Sequence, residues 1–205
     1  MIFFYLQSLA RVLTAHVLLL TLQVAAQSKR GLPFNDPTLL GKFAVAGSQT
    51  SWCYNWYSAT PENPHSMEFV PMLWCSTELD LIDAWKGNAR TIVDSSPPHS
   101  AHLLSFEEPD NAGQCNISPE FAAATYEAWI QVFKGQAFLG APAVSVQPGG
   151  LKWLSEFLAY CQNCQIDFVP IHWYGSALDI QGFQNYIAQA HTTAQNRPLW
   201  ITEVS

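Results

Sequence analysis

The stretch "HLLSFEEPDN", residues 102–111, begins as a continuously apolar run and ends in two adjacent glutamates and a proline. Successive rather than alternate residues are apolar, which marks a strand buried on both faces, as in a parallel sheet covered by helices. Gly, Asn or Asp would end such a strand equally well, so carboxylates at its tip call for a reason. Proline disfavours the helical region for the residue before it, which predicts an extended Glu108 fixed at the strand end.

Six further runs share this character: "RGLPF" near 30–34, "SWCYNW" at 51–56, "EFVPMLW" at 68–74, "FLGAPAV" at 138–144, "IDFVPIHWY" at 166–174 and "PLWITEV" at 198–204. Between the later runs, "ELDLIDAWKGNARTIVD", "SPEFAAATYEAWIQVF", "LKWLSEFLAYCQ" and "IQGFQNYIAQAHTTA" repeat apolar residues at helical spacing. Ser118, Pro119 and Glu120 supply an N-cap, a first-turn proline and an early acid. Strands alternating with helices predict an α/β fold, and seven runs approach the eight strands of a (β/α)8 TIM-type barrel. No glycine-rich phosphate loop follows a strand, which argues against an open nucleotide-binding sheet. The chain ends at "WITEVS", behind the seventh run, so a barrel truncated before its eighth strand is expected.

The 205 residues are 49% hydrophobic and 12% charged with a mean hydropathy of +0.04, enough for one core and one domain. Residues 1–26 hold a single Arg11, no acid and the apolar run "VLTAHVLLLTLQVAA", the pattern of a cleaved signal peptide. That run is shorter than the roughly 20 apolar residues of a membrane span, so no stable membrane insertion is expected. The catalytic domain is then residues 27–205, secreted to the extracellular space or cell wall. Its net charge of −7, made more negative by loss of Arg11, repels phosphate backbones and excludes nucleic acid as a partner.

Secretion places the five cysteines where disulfides persist. Cys161 and Cys164 form a C-x-x-C with no second half to complete a zinc site, which favours a local disulfide. Cys53, Cys75 and Cys115 remain without an assigned pairing. The sequon "NIS" makes Asn116 a candidate glycosylation site on an exposed loop.

Two strand tips carry carboxylates: Glu107 and Glu108 after the fourth run, and Glu203 in the seventh. The loops after barrel strands build the active face, and strands four and seven lie across the axis from each other. Two carboxyls about 5 to 5.5 Å apart are the catalytic pair of a retaining glycosidase. Each glutamate alone would read as a solvated loop residue. Sugars lay their C–H faces on aromatic rings, so Trp74, Trp173 and Tyr174 are candidate substrate contacts, with Asn55 at the second strand tip. His172 is either a substrate partner or a core histidine satisfied by its neighbours. Histidine spacing matches no metal site and no nucleophile elbow occurs, so neither metal nor cofactor is expected.

The blocks "KRGLPFND", "SWCYNW", "EFVPMLW", "LLSFEEPDN", "LGAPAV", "CQNCQIDFVPIHWYG" and "PLWITEV" resemble, in order, those of glycoside hydrolase family 128, secreted endo-β-1,3-glucanases. The resemblance implies a (β/α) barrel of the retaining clan, with Glu108 as acid/base and Glu203 as nucleophile. It implies a β-1,3-glucan substrate cut internally by a cofactor-free monomer. It also exposes a departure: the family pattern has Asn before the acid/base, where this chain has Glu107. An ionised glutamate accepts but cannot donate a hydrogen bond, and a third carboxylate raises its neighbours' pKa values. The rival expectation is therefore a catalytically impaired glucan-binding wall protein on the same fold.

Overall fold

The computed structural model describes residues 30–61, 64–65, 67–97 and 101–205; the expected signal peptide, residues 1–26, lies outside the described residues. Each of the seven runs contributes a strand: β1 (Arg30–Pro33), β2 (Thr50–Tyr54), β3 (Glu68–Phe69), β4 (His102–Leu103), β5 (Phe138–Leu139), β6 (Val169–Trp173) and β7 (Leu199–Val204). Pairing is parallel throughout and follows chain order, β1-β2-β3, β4-β5 and β6-β7. Parallel bridges close the gaps, Met72 with Leu104 between the third and fourth strands and Gly140 with Phe168 between the fifth and sixth. The layer curls enough that β1 and β7 meet and the Tyr54 hydroxyl of β2 donates to the Thr202 carbonyl of β7 at 3.1 Å.

β3 and β5 are shorter than their apolar runs because Pro71 and Pro142 interrupt them, and proline has no N–H for the ladder. The reading of both faces as buried holds. Leu103 joins the outer core, beneath the helices, while the adjacent Leu104 joins an inner cluster with Trp52, Tyr54, Val70, Met72 and Phe168. β1 runs so close over the Trp52 ring that a Cβ on Gly31 would lie 2.1 Å from it, so only glycine fits there.

Four helices cover the outer face: α1 (Leu79–Ser95), α2 (Pro119–Trp129), α3 (Gly150–Tyr160) and α4 (Ile180–Thr193). α1 buries Ile82, Trp85 and Ala89, and α3 buries Trp153, Leu154, Phe157 and Leu158, the stripes that the spacing predicts. Each large apolar side chain so buried contributes roughly 1.5–3 kcal/mol relative to exposure. Ser118 caps α2 by accepting from Phe121 N–H, with Pro119 in the first turn. α2 then anchors inward, Tyr126 donating to the Gly140 carbonyl at 3.1 Å. A 3₁₀ helix at Pro37–Lys42, capped by Asp36, covers Phe34, Leu40, Cys53, Met67 and Phe69.

Cys161 pairs with Cys164, as its spacing predicts, and Cys75 pairs with Cys115 across 40 residues. Cys53 is the odd thiol; burial first, and the Glu68 carboxylate second, push it up to about 11, so it is not a reactive thiolate. By chain entropy the longer loop stabilises by about 4 kcal/mol and the shorter by about 2. Cys75→Ala should therefore lower the urea-unfolding free energy about twice as much as Cys161→Ala; equal losses would show that loop closure is not the source.

Candidate active site

At the C-terminal ends of β4, β6 and β7, four side chains converge: Glu107, Glu108, His172 and Glu203 each offer an atom within 4.8 Å of the others. They form a group close enough to hold a cation, which histidine spacing in the sequence did not signal.

Glu203 reaches this cluster through an irregularity in β7. The β6–β7 register runs Ile171 opposite Ile201 and then His172 opposite Glu203, leaving Thr202 as an extra residue. Facing side chains on adjacent strands share a side of the sheet, so the unbulged register would place Thr202 beside His172 and turn Glu203 towards the helices. The bulge reverses that. Glu203 Oε1 then accepts from Trp56 Nε1–H at 2.6 Å, with the Tyr54 hydroxyl 3.5 Å away, and Oε2 accepts from the Tyr174 hydroxyl. Two donors from two further strand ends thus hold this carboxylate, the single Tyr54 proton going to the nearer Thr202 carbonyl. Both phenols stay protonated, Tyr174 because its hydrogen bond to Glu203 raises its pKa and Tyr54 because burial does.

Glu108 departs from the expected extended conformation. Its φ is +36°, a left-handed value strained for a residue with a Cβ. Tertiary bonds override the local proline rule here: Glu108 N–H donates to the Ala143 carbonyl at 2.8 Å and its own carbonyl accepts from Asn111 N–H at 2.9 Å. The side chain is held too, Oε1 lying 2.8 Å from His172 Nδ1 and Oε2 accepting from Asn111 Nδ2–H at 2.8 Å. His172 has no exposure at all; its Nδ1 pairs with a carboxylate of the cluster, while its buried Nε2 has no partner among the described residues. The hydrogen bond from His172 outweighs burial, and with Asn111 holds the Glu108 carboxyl below its ordinary range. The expected proton donor is therefore ionised at rest.

Glu107 shows the reverse. It is 3% exposed, and its pKa is raised well above the carboxylate range, first by burial, then by the Glu203 charge and a hydrogen bond shared with Glu203, and further by Glu108 and Asp110. The expectation that a third carboxylate raises its neighbours falls on Glu107 itself.

Other candidates lie elsewhere. Asn55 spends its amide within its own turn, donating to the Ala59 carbonyl at 2.9 Å and accepting from Tyr57 N–H at 3.2 Å. Trp173 alternates with His172 and Tyr174 along β6, so it turns outward and packs on Phe183 and Tyr186 of α4, each ring 5.5 Å away. Trp74 is half-buried against the outer core, its carbonyl accepting Glu107 N–H at 2.9 Å. Asn116 is exposed at the turn before α2. Trp56 and Asn111 were missed as carboxylate donors. Their signals were an aromatic two residues beyond Tyr54, just past the end of β2, and an amide three residues after Glu108 in a proline turn.

Carboxylates facing each other at the ends of parallel strands are the arrangement that a carbohydrate-cleaving protein requires. The chain belongs to the glycosyl hydrolase catalytic core family, whose model matches residues 31–205, and within it to glycoside hydrolase family 128. It is 36% identical to a curdlan-specific exo-β-1,3-glucanase of that family from Blastomyces gilchristii, crystallised with glucose, over 87% of this chain and 76% of that one, with a TM-score of 0.78. An endo-β-1,3-glucanase from Amycolatopsis mediterranei in complex with laminaripentaose is 30% identical, covering 87% of this chain and 71% of that one at a TM-score of 0.65. The alkali-sensitive linkage protein 1 of Schizosaccharomyces pombe is 32% identical over 186 residues, 87% of this chain. The chain spans 32% of that relative's length.

Because Glu108 has a depressed folded-state pKa, its ionised form stabilises the fold above the unfolded value, and that contribution is lost as pH falls through the folded value. Asn111→Ala should consequently show its full melting-temperature deficit above about pH 5, and the deficit should shrink towards about pH 3. A deficit independent of pH would mean that Asn111 acts only through its turn.

Proposed function

We propose that the chain is a secreted glycosidase that cleaves β-1,3-glucan internally by a retaining double displacement, its parallel strands forming the wall of a (β/α) barrel. The observation that carries this reading is Glu203, fixed by the Trp56 and Tyr174 donors within 4.8 Å of the opposing Glu108. Such donors stabilise an ionised carboxylate, the state in which Glu203 attacks the anomeric carbon. Glu108 gives a proton to the leaving glucosyl oxygen and, once the covalent intermediate has consumed the Glu203 charge, takes one from water. Its ionised resting state means that the reactive fraction grows as pH falls, so the activity belongs on the acid side of neutrality. Tyr174, 49% exposed beside Glu203, is the aromatic best placed to meet a sugar ring.

The glucanases of known structure support the substrate class. The proposal includes residues 1–26 as signal peptide, residues 27–205 as the catalytic domain, a monomer in the extracellular space or wall, and glycan at Asn116. One observation favours the second reading, a glucan-binding protein with impaired turnover: His172 and Asn111 hold Glu108 ionised.

Reducing-end release from laminarin decides between them. Release by the parent should fall on the order of 10²- to 10⁴-fold in Glu108→Gln and at least as far in Glu203→Gln. A parent that binds laminarin and releases nothing at any pH from about 4 to 7 would establish the binding protein instead.

A further inference from the structure

Three carboxylates and one imidazole meet in the cleft. The imidazole is committed, since His172 Nδ1 lies 2.8 Å from Glu108, against 3.6 Å from Glu203 and 3.8 Å from Glu107. Among the described residues no lysine or arginine pairs with any of the three acids. Glu107 Oε2 is fully buried with no donor reaching it, and Glu107 brings a carboxylate oxygen within 4.8 Å of Glu203, itself an acceptor. An ionised carboxylate in that position would face two other anions and carry an uncompensated buried charge.

We propose that Glu107 carries a proton in the working site and donates it as a hydrogen bond to Glu203. Glu107 is thus a positioning residue, a neutral donor beside the nucleophile, and not a third anion. The inference rests on the reading of Glu203 as nucleophile for its catalytic meaning, though not for the protonation itself. The groups facing Glu107 all act in one direction: Glu203 from β7, Glu108 and Asp110 from its own segment, and Tyr54 from β2 add negative charge or none. From β6, Tyr174 is a protonated phenol and His172 is held by Glu108. Above the pH at which Glu107 ionises, two anions oppose Glu203 and the site loses a donor.

A carboxyl whose folded pKa lies above its unfolded value stabilises the fold at low pH, and the contribution is lost as pH rises through the folded value. The melting temperatures of the full chain, Glu107→Gln and Glu107→Asn are therefore compared in EDTA from about pH 5 to about pH 10, so that no cation replaces the proton. The parent should fall relative to Glu107→Gln by about 3 °C or more across this range. Glu107→Asn keeps a neutral donor in a smaller side chain and reads the same trend if the glutamine variant folds poorly. A gap that does not change with pH overturns the proposal, because a carboxylate of ordinary pKa is already ionised throughout.

The second measurement is the alkaline limb of kcat/KM on laminarin. Two protons lost in the parent, from Glu107 and Glu108, against one in Glu107→Gln should flatten the limiting slope of log(kcat/KM) from two towards one. Parallel limbs overturn the coupling to catalysis. If neither protein cleaves glucan, the proposed function fails and the melting comparison still decides whether Glu107 is protonated.

Discussion

A buried cleft cannot keep three adjacent carboxylates ionised with no lysine or arginine among the described residues to pair with them. That constraint orders the site of this glycosyl hydrolase family member. Glu108 takes the His172 ring and the Asn111 amide and is ionised; Glu203 takes hydroxyl and indole donors; Glu107, enclosed at 3% exposure, is left with a raised pKa. Neighbouring residues on one strand end thereby acquire opposite protonation preferences through burial and partners alone, the usual route by which a fold separates acids from bases.

The scaffold makes this possible because every strand is parallel to its neighbours, which gathers all their C-terminal ends on one side. The inner cluster of Trp52, Tyr54, Met72, Leu104 and Phe168 fills the space below the carboxylates and keeps their surroundings apolar. Trp200 lies stacked on Phe168 at 4.3 Å and belongs to this filling. The same residues that raise the cost of charge in the cleft hold the strands together.

Most of the fold was legible in the chain because parallel strands buried on both faces leave unbroken apolar runs, and the helices between them repeat at 3.6 residues. The 3₁₀ helix was not, since six residues carry too little periodicity to register. Of the site, Glu107, Glu108, His172, Tyr174 and Glu203 were legible as polar or aromatic residues at strand tips, and they do converge. Trp173 was not separable from Tyr174, because which strand face points inward depends on pairing register. Nor was the left-handed backbone of Glu108, which is imposed by Ala143 and Asn111 against the local preference set by Pro109. Protonation states were the least legible, for they depend on distances between residues far apart in sequence.

The extra residue at Thr202 carries a consequence for any attempt to re-engineer or assay this scaffold. A β7 paired with β6 in the unbulged register would retain its main-chain ladder and much of its packing, yet would aim threonine into the cleft and glutamate at the helices. Such a molecule would lose the Trp56 and Tyr174 bonds to Glu203 while keeping its strand content. The position of the Glu203 carboxylate, and not the amount of strand, is what separates the two registers.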